Sequence, residues 1–165
     1  MDKNNVVSAE IVRQITRMVV EELQKQQRLE RSTPIGVSNR HVHLDRADMD
    51  ALFGPGSELT ARKMLGQPAQ YAAEETVTIR GPKGELSRVR VLGPLRAQTQ
   101  VEISIADGFT LGVKPPVRES GQLKDTPGIE IIGPCGSVKK DSGVIAALRH
   151  VHMTPKDAAR FGVED

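Results

Sequence analysis

Two textures of hydrophobic patterning divide the chain. In residues 6–27, Ile11, Ile15, Met18, Val19 and Leu23 recur at spacings of three and four, the signature of an amphipathic helix, with Ser8 as its N-cap. Gln24–Arg31 is polar and charged without apolar periodicity, and Ser32-Thr33-Pro34 breaks any helix, so residues 28–33 read as a linker. Beyond Pro34 the apolar residues come in short alternating runs separated by Gly and Pro. Thr76–Arg80 and Leu86–Leu92 flank Gly81-Pro82-Lys83-Gly84, which predicts a β-hairpin. Val101–Ile105, Phe109–Val113 and Ile129–Ile132 are expected to continue the strand series. Strands this short, with turns this frequent, favour a small barrel or sandwich over alternating β/α layers.

Superimposed on this pattern is an internal repeat. Arg40-His41-Val42-His43-Leu44 returns as Arg149-His150-Val151-His152-Met153, and Asp48 returns at the same offset as Asp157. Each copy leads into a helix start, with Asp45 and Thr154 as N-caps and Pro155 at the tolerated first helical position. Phe53-Gly54 and Phe161-Gly162 supply the C-terminal stops. Both copies are therefore expected to be a strand, a His pair and a short capped helix. Residues i and i+2 of a strand share a face, so each pair can converge on one metal ion while Val42 and Val151 point into a core.

Composition narrows the class. Apolar residues make up 38% and charged residues 27% of 165, which suits a globular protein. Aromatics are only 2%, so the core must come from Val, Ile, Leu and Ala. A single cysteine, Cys135, excludes an internal disulfide and a Cys-rich zinc site, and a lone Cys of this kind is expected to be buried. A net charge of +2 without aromatic-rich basic stretches argues against nucleic acid as a partner. No run approaches a membrane span, and charges from Glu10 onward leave no secretory core segment, which reads as cytoplasmic.

All four histidines of the chain lie in the two repeats, which favours metal binding over hydrogen-bonded strand histidines. Two ligands do not complete a site. Glu102 stands in an alternating apolar strand, where a carboxylate is ordinarily the solvent-facing partner. Arg96, beside the Gly93-Pro94 turn, could hold phosphate or be a solvated charge. On the residues alone the solvated reading is the one preferred for both.

Ser38-Asn39-Arg40-His41-Val42-His43-Leu44, Gly93-Pro94-Leu95-Arg96, Gln100-Val101-Glu102-Ile103, Arg118-Glu119-Ser120-Gly121 and Arg149-His150-Val151-His152-Met153 together resemble the PduL-type phosphotransacylases (phosphate propanoyltransferases) of bacterial microcompartments, from about Pro34 to the last residue. The resemblance implies a mainly β fold of tandem small β-barrels capped by short helices. One barrel would be discontinuous (34–39 with 148–165), the other formed by 40–147. It implies a subunit with two divalent metals, expected to be Zn2+, one held by His41, His43 and Glu102 and the other by His150 and His152. It also implies an active-site role for Arg96 and coenzyme A as substrate or product.

CoA phosphates would meet basic residues, with Lys114 and Arg118 as loose candidates beside Lys124, Lys139 and Lys140. The family continues past the second His pair with more strands and a third histidine ligand. The chain stops at Asp165, so it is expected to lack that ligand and most of the discontinuous barrel. The N-terminal helix resembles encapsulation peptides, implying a microcompartment shell or cargo partner and a lumenal location; packing back on its own barrel, or self-association into a homo-oligomer, is the other use of its stripe. The expected reaction is acyl transfer between a short-chain acyl-CoA, such as propanoyl-CoA, and phosphate. A metal-dependent hydrolase and a zinc-stabilised structural or cargo protein are the competing readings.

Overall fold

The structure is a computed structural model describing residues 9–31 and 38–164, with side chains of 27–31 left out. The chain divides into two compact units, residues 1–38 and 39–165. The first contains helix α1 (Ala9–Arg31), which runs through the segment expected to be the linker's start. Residues 28–31 are helical because Arg, Leu and Glu are good helix formers and no breaker precedes Pro34. The expected cap Ser8 and the break at 32–34 lie outside the described residues. Ile11, Ile15, Met18, Val19 and Leu23 are all exposed on α1.

The second unit is mainly β. It has β1 (His41–His43), α2 (Arg46–Phe53), β2 (Ala61–Met64), β3 (Tyr71–Arg80), β4 (Glu85–Gly93), β5 (Gln100–Glu102), α3 (Ile105–Leu111), β6 (Val117–Arg118), β7 (Ile129–Ile132), β8 (Ser137–Lys140), β9 (Val144–Ala147) and α4 (Pro155–Phe161). The strand order is β6-β9-β5-β1-β4-β3-β7-β8, with β2 beside β3, and the sheet curls into a half-barrel. The predicted hairpin is β3–β4, with Gly81 N–H donating to Gly84 O at 2.9 Å. Gly81 also lies against the end of α3, where any Cβ would collide with the Leu111 carbonyl oxygen. The core is aliphatic, as composition requires: Val42, Leu44, Met49, Leu52, Ile79, Val89, Val91, Val101, Leu111 and Ile131 are buried.

Three expectations need correction. Phe109–Val113 is not a strand; it straddles the end of α3, and Val101–Ile105 is a strand only to Glu102. Ser104 caps the helix by accepting from Asp107 N–H, while Asp107 accepts from Ser104 N–H, a capping box that outweighs the β-propensity of Ile105 and Phe109. The second His pair is not in a strand: residues 148–154 have no regular secondary structure, Leu148 N–H alone carrying the β6–β9 pairing onward by donating to Arg118 O at 2.8 Å, and Val151 is 64% exposed rather than buried. Cys135 is exposed, in the β7–β8 turn against α2, where its N–H donates to Leu52 O. The two repeat helices do form where expected. Asp45 and Thr154 each accept from the backbone N–H of the third helical residue, Asp48 and Asp157.

Candidate metal centre

The first His pair owes its placement to strand register. β1 lies in the middle of the sheet, antiparallel to β5, so that His41 faces Glu102, Val42 faces Val101 and His43 faces Gln100. Alternation puts Val42 and Val101 on the core face. The opposite face of the same ladder then carries His41, His43, Gln100 and Glu102. All four are buried, so this polar face is not the solvent face that alternation alone suggested for Glu102.

Parallel strands bring the remaining groups to this face. β5 and β6 both pair in parallel with β9, so the three share one direction. Glu102 ends β5, Ser120 follows β6 by two residues and folds back to Gln100, and His150 follows β9 by three. Arg96 is brought in by the loop after β4. Its N–H donates to Leu44 O at 2.9 Å, and the nearby Thr99 Oγ1 accepts from Asp45 N–H at 3.0 Å, lacing this loop to the exit of β1.

His41 Nε2 is 3.4 Å from Glu102 Oε2, and His43 Nε2 is 4.0 Å from Glu102 Oε1. One ligand atom from each of the three lies within 4.8 Å of the others. Two ligands on one tetrahedral ion with bonds of ~2.0–2.1 Å sit roughly 3.3 Å apart, so modest contraction closes the first site. The tautomers suit it as well. His41 Nδ1 meets the Asn39 carbonyl at 2.8 Å, which requires a proton on Nδ1, so Nε2, which faces Glu102, is the nitrogen available to a metal. His43 Nδ1 is buried with no partner of hydrogen-bond geometry among the described residues, the Leu92 carbonyl being near enough only to raise the ring's pKa somewhat. The donor set, two imidazoles and a carboxylate, is that of an open zinc-type site.

Electrostatics keep these side chains in the forms that metal binding would require. Burial, then the charges of Arg96 and His41, push His43 down to about 3, against the opposing pull of Glu102. It is therefore neutral near pH 7, as a metal ligand must be. Burial works to raise the Glu102 carboxyl, but its bond to His41, the electrostatic pull of the two imidazoles and the Gln100 amide outweigh it, so the net direction is down.

The second His pair repeats one device and changes the rest. His150 Nδ1 meets the Leu148 carbonyl at 2.6 Å, again the residue two positions back, and its Nε2 faces His152 Nε2 at 2.8 Å. Both rings are exposed. Burial and the neighbouring His150 lower the His152 pKa, while the Glu102 charge raises it, so the second pair lies within electrostatic reach of the first site. Gln67, in the β2–β3 turn, places its amide nitrogen 2.8 Å from each ring nitrogen of His152.

Arg96 is half-buried, and burial lowers its pKa against the opposing charge of Glu102. Its Nη1 donates to Ser120 Oγ at 2.9 Å, and no described carboxylate pairs with it directly. The structure separates the cationic CoA candidates. Lys114 lines a groove of about 340 Å3 beside Ile105 and Phe109, Arg118 and Lys124 line another cavity of about 600 Å3, and Lys139 and Lys140 line a third. Lys140 is also tied to Asp48 at 2.7 Å.

Sequence reasoning missed Gln100, Ser120 and Gln67 as members of this cluster. Gln100 and Ser120 stood inside motifs already singled out. The available signal was the even spacing of Gln100 and Glu102 on one strand. For Gln67 there was no local signal, since only tertiary folding brings the β2–β3 turn to His152.

The phosphate propanoyltransferase family model matches residues 34–165. Among curated proteins, the chain is 67% identical over 131 residues to a phosphate propanoyltransferase of Rhodobacter capsulatus, covering 79% of this chain and 61% of that protein. It is 65% identical to one of Thermotoga maritima, with 79% and 62% covered, and 50% identical over 149 residues to one of Salmonella typhimurium, with 90% and 68% covered. The chain thus spans about three fifths of the length of the Rhodobacter and Thermotoga proteins.

Proposed function

The chain belongs to the phosphate propanoyltransferase family, and from that premise we propose that it moves a short acyl group, propanoyl for preference, between coenzyme A and inorganic phosphate. The observation that carries this reading is the buried His41–His43–Glu102 cluster with the half-buried cation of Arg96 beside it. In the proposed reaction a phosphate oxygen bonds to the thioester carbonyl carbon, the carbon–sulfur bond breaks, and CoA leaves as a thiolate that takes up a proton. His41, His43 and Glu102 would hold one divalent cation, zinc by the nature of the donors, and His150 with His152 part of a second. Cations so held supply Lewis-acid polarisation and charge neutralisation.

The chain's own groups do the positioning. The Arg96 guanidinium, lacking a direct carboxylate partner among the described residues, is suited to hold phosphate against the site and to stabilise charge in the tetrahedral transition state. Ser120 adds a hydroxyl beside it. The aliphatic wall behind Val42 and Val101 keeps water from the rear of the ladder. No acyl-enzyme is required, and Cys135 stands in the β7–β8 turn, toward the opposite edge of the sheet order. The family's two-barrel division, with 34–39 and 148–165 in one barrel and 40–147 in the other, is part of the same proposal.

The exposed stripe of α1 fits a further role in binding a microcompartment shell or cargo and directing the protein to the lumen. No helix among the described residues is long and apolar enough to cross a membrane.

The deciding assay follows CoA release from propanoyl-CoA, with and without phosphate and chelator. Release that needs phosphate and stops with chelator is expected, and Arg96→Ala should lose turnover while keeping its metal. Phosphate-independent release would indicate a hydrolase. Bound metal without turnover would indicate a structural site.

A further inference from the structure

Gln100 belongs to neither the metal-ligand set nor the anion-binding pair, yet it is only 2% exposed. A buried primary amide is costly unless its hydrogen-bonding capacity is used. Here Oε1 accepts from Gly121 N–H at 2.7 Å, while Nε2 donates to Glu102 Oε1 at 2.6 Å and to Ser120 Oγ at 2.9 Å. The amide cannot be turned over. Gly121 N–H can only donate and the ionised Glu102 can only accept, so oxygen must face the first and nitrogen the second.

We infer that Gln100 is a positioning residue that aims Glu102 at the His pair and Ser120 at the incoming anion. This rests on the metal-site reading above. The terminal torsion of a glutamate is broad, so an unrestrained carboxylate would sample many orientations. With Oε1 held by Gln100, Oε2 is left facing His41 at 3.4 Å.

The same amide fixes Ser120. Its hydroxyl accepts from Gln100 Nε2 and from Arg96 Nη1, which uses both lone pairs. Its own proton must then point away from both, and because Ser120 is exposed an oxyanion such as phosphate can reach and accept it. One side chain therefore sets the geometry of a cation ligand and of an anion donor together.

The test compares wild type with Gln100→Met, which keeps the length of the side chain and removes its polar atoms. Zn2+ affinity is read by chelator competition, and the KM for phosphate is read beside kcat. Loss of an outer partner to a metal ligand typically costs ~10–100-fold in affinity, and that loss is expected here together with a raised phosphate KM. A tie that only fastened the 119–121 loop would lower the melting temperature and leave Zn2+ affinity unchanged, which would overturn the inference. If Gln100→Met does not fold, the wild-type chain decides. Its Gln100 side-chain amide protons should give two distinct, slowly exchanging 15N–1H signals that move on Zn2+ addition. Exchange as fast as that of surface glutamines would overturn the proposal. A wild-type chain that takes up no Zn2+ would instead remove the metal-site reading on which it rests, whereas tight wild-type binding matched by Gln100→Met removes the Gln100 inference alone.

Discussion

The His41–His43 and His150–His152 segments carry the same Arg-His-Val-His string and the same capped helix downstream, yet they occupy opposite environments. The first is a central strand, paired on both sides, with Val42 fully buried and both rings in the interior. The second lies outside any strand, with Val151 and both rings exposed. What the copies share is local: a carbonyl two residues back that takes the Nδ1 proton, and an N-cap on the following helix. What they do not share is supplied by the rest of the sheet. A motif can therefore encode the donor atoms and their tautomers, while burial and the third candidate donor come from strand pairing distant in sequence. The first site is preorganised by its fold. The second has its imidazoles aligned but not enclosed.

The contrast can be broken most sharply at the ligands. His43→Ala should weaken Zn2+ binding at the first site by more than about a hundredfold, because loss of a direct ligand exceeds the loss of an outer partner. His152→Ala should leave that site's affinity close to wild type. Competition with a chromophoric chelator reads both, and equal losses would erase the distinction.

Acid should act on the first segment next. His43 binds a proton near pH 6.5 in the unfolded chain but only near 3 when folded, so the unfolded state holds more protons between those values. Stability of the metal-free protein should then fall as pH drops through that window, by roughly 3 kcal/mol between pH 7 and 4. Denaturant titrations should show the His43 share of this slope vanish in His43→Asn. An unchanged slope would mean that burial does not govern the ring.

The intervening valines offer a test without titration. Val42→Ala removes core packing and should cost about 2 kcal/mol, whereas Val151→Ala should stay within about 0.5 kcal/mol. Comparable losses, read from thermal melts, would put the second segment in a core after all. The smallest difference is expected at the caps. Asp45→Ala should cost about 1 kcal/mol because α2 packs on the core through Met49 and Leu52. Thr154→Ala should fray α4, which buries no residue, with no more than a few tenths of a kcal/mol in global stability.

Much of this site was legible before folding, and the reasons are physical. Strand alternation puts His41 and His43 on one face whatever the fold, and Asp45, Thr154, Gly54 and Gly162 are local signals that the chain obeys. The hairpin at Gly81–Gly84 was equally local. Glu102 was read as solvent-facing because period two says which residues share a face, not whether that face meets water. The answer needs the register His41 opposite Glu102, set by non-local pairing. The helix at Ile105–Leu111 was missed although Ser104-x-x-Asp107 announces it, because the apolar residues around it were read at the strand period. The exposure of Val151 could not be read from its motif, which is shared with the buried Val42.

The central claim is that His41, His43 and Glu102 together bind one divalent cation. Crystals grown with Zn2+ and measured across the zinc absorption edge test it directly. An anomalous peak ~2.0–2.1 Å from one nitrogen of each of His41 and His43, with a Glu102 oxygen completing the set, is the predicted result. Saturating zinc with no peak among these three side chains, or a peak only elsewhere on the protein, would contradict it.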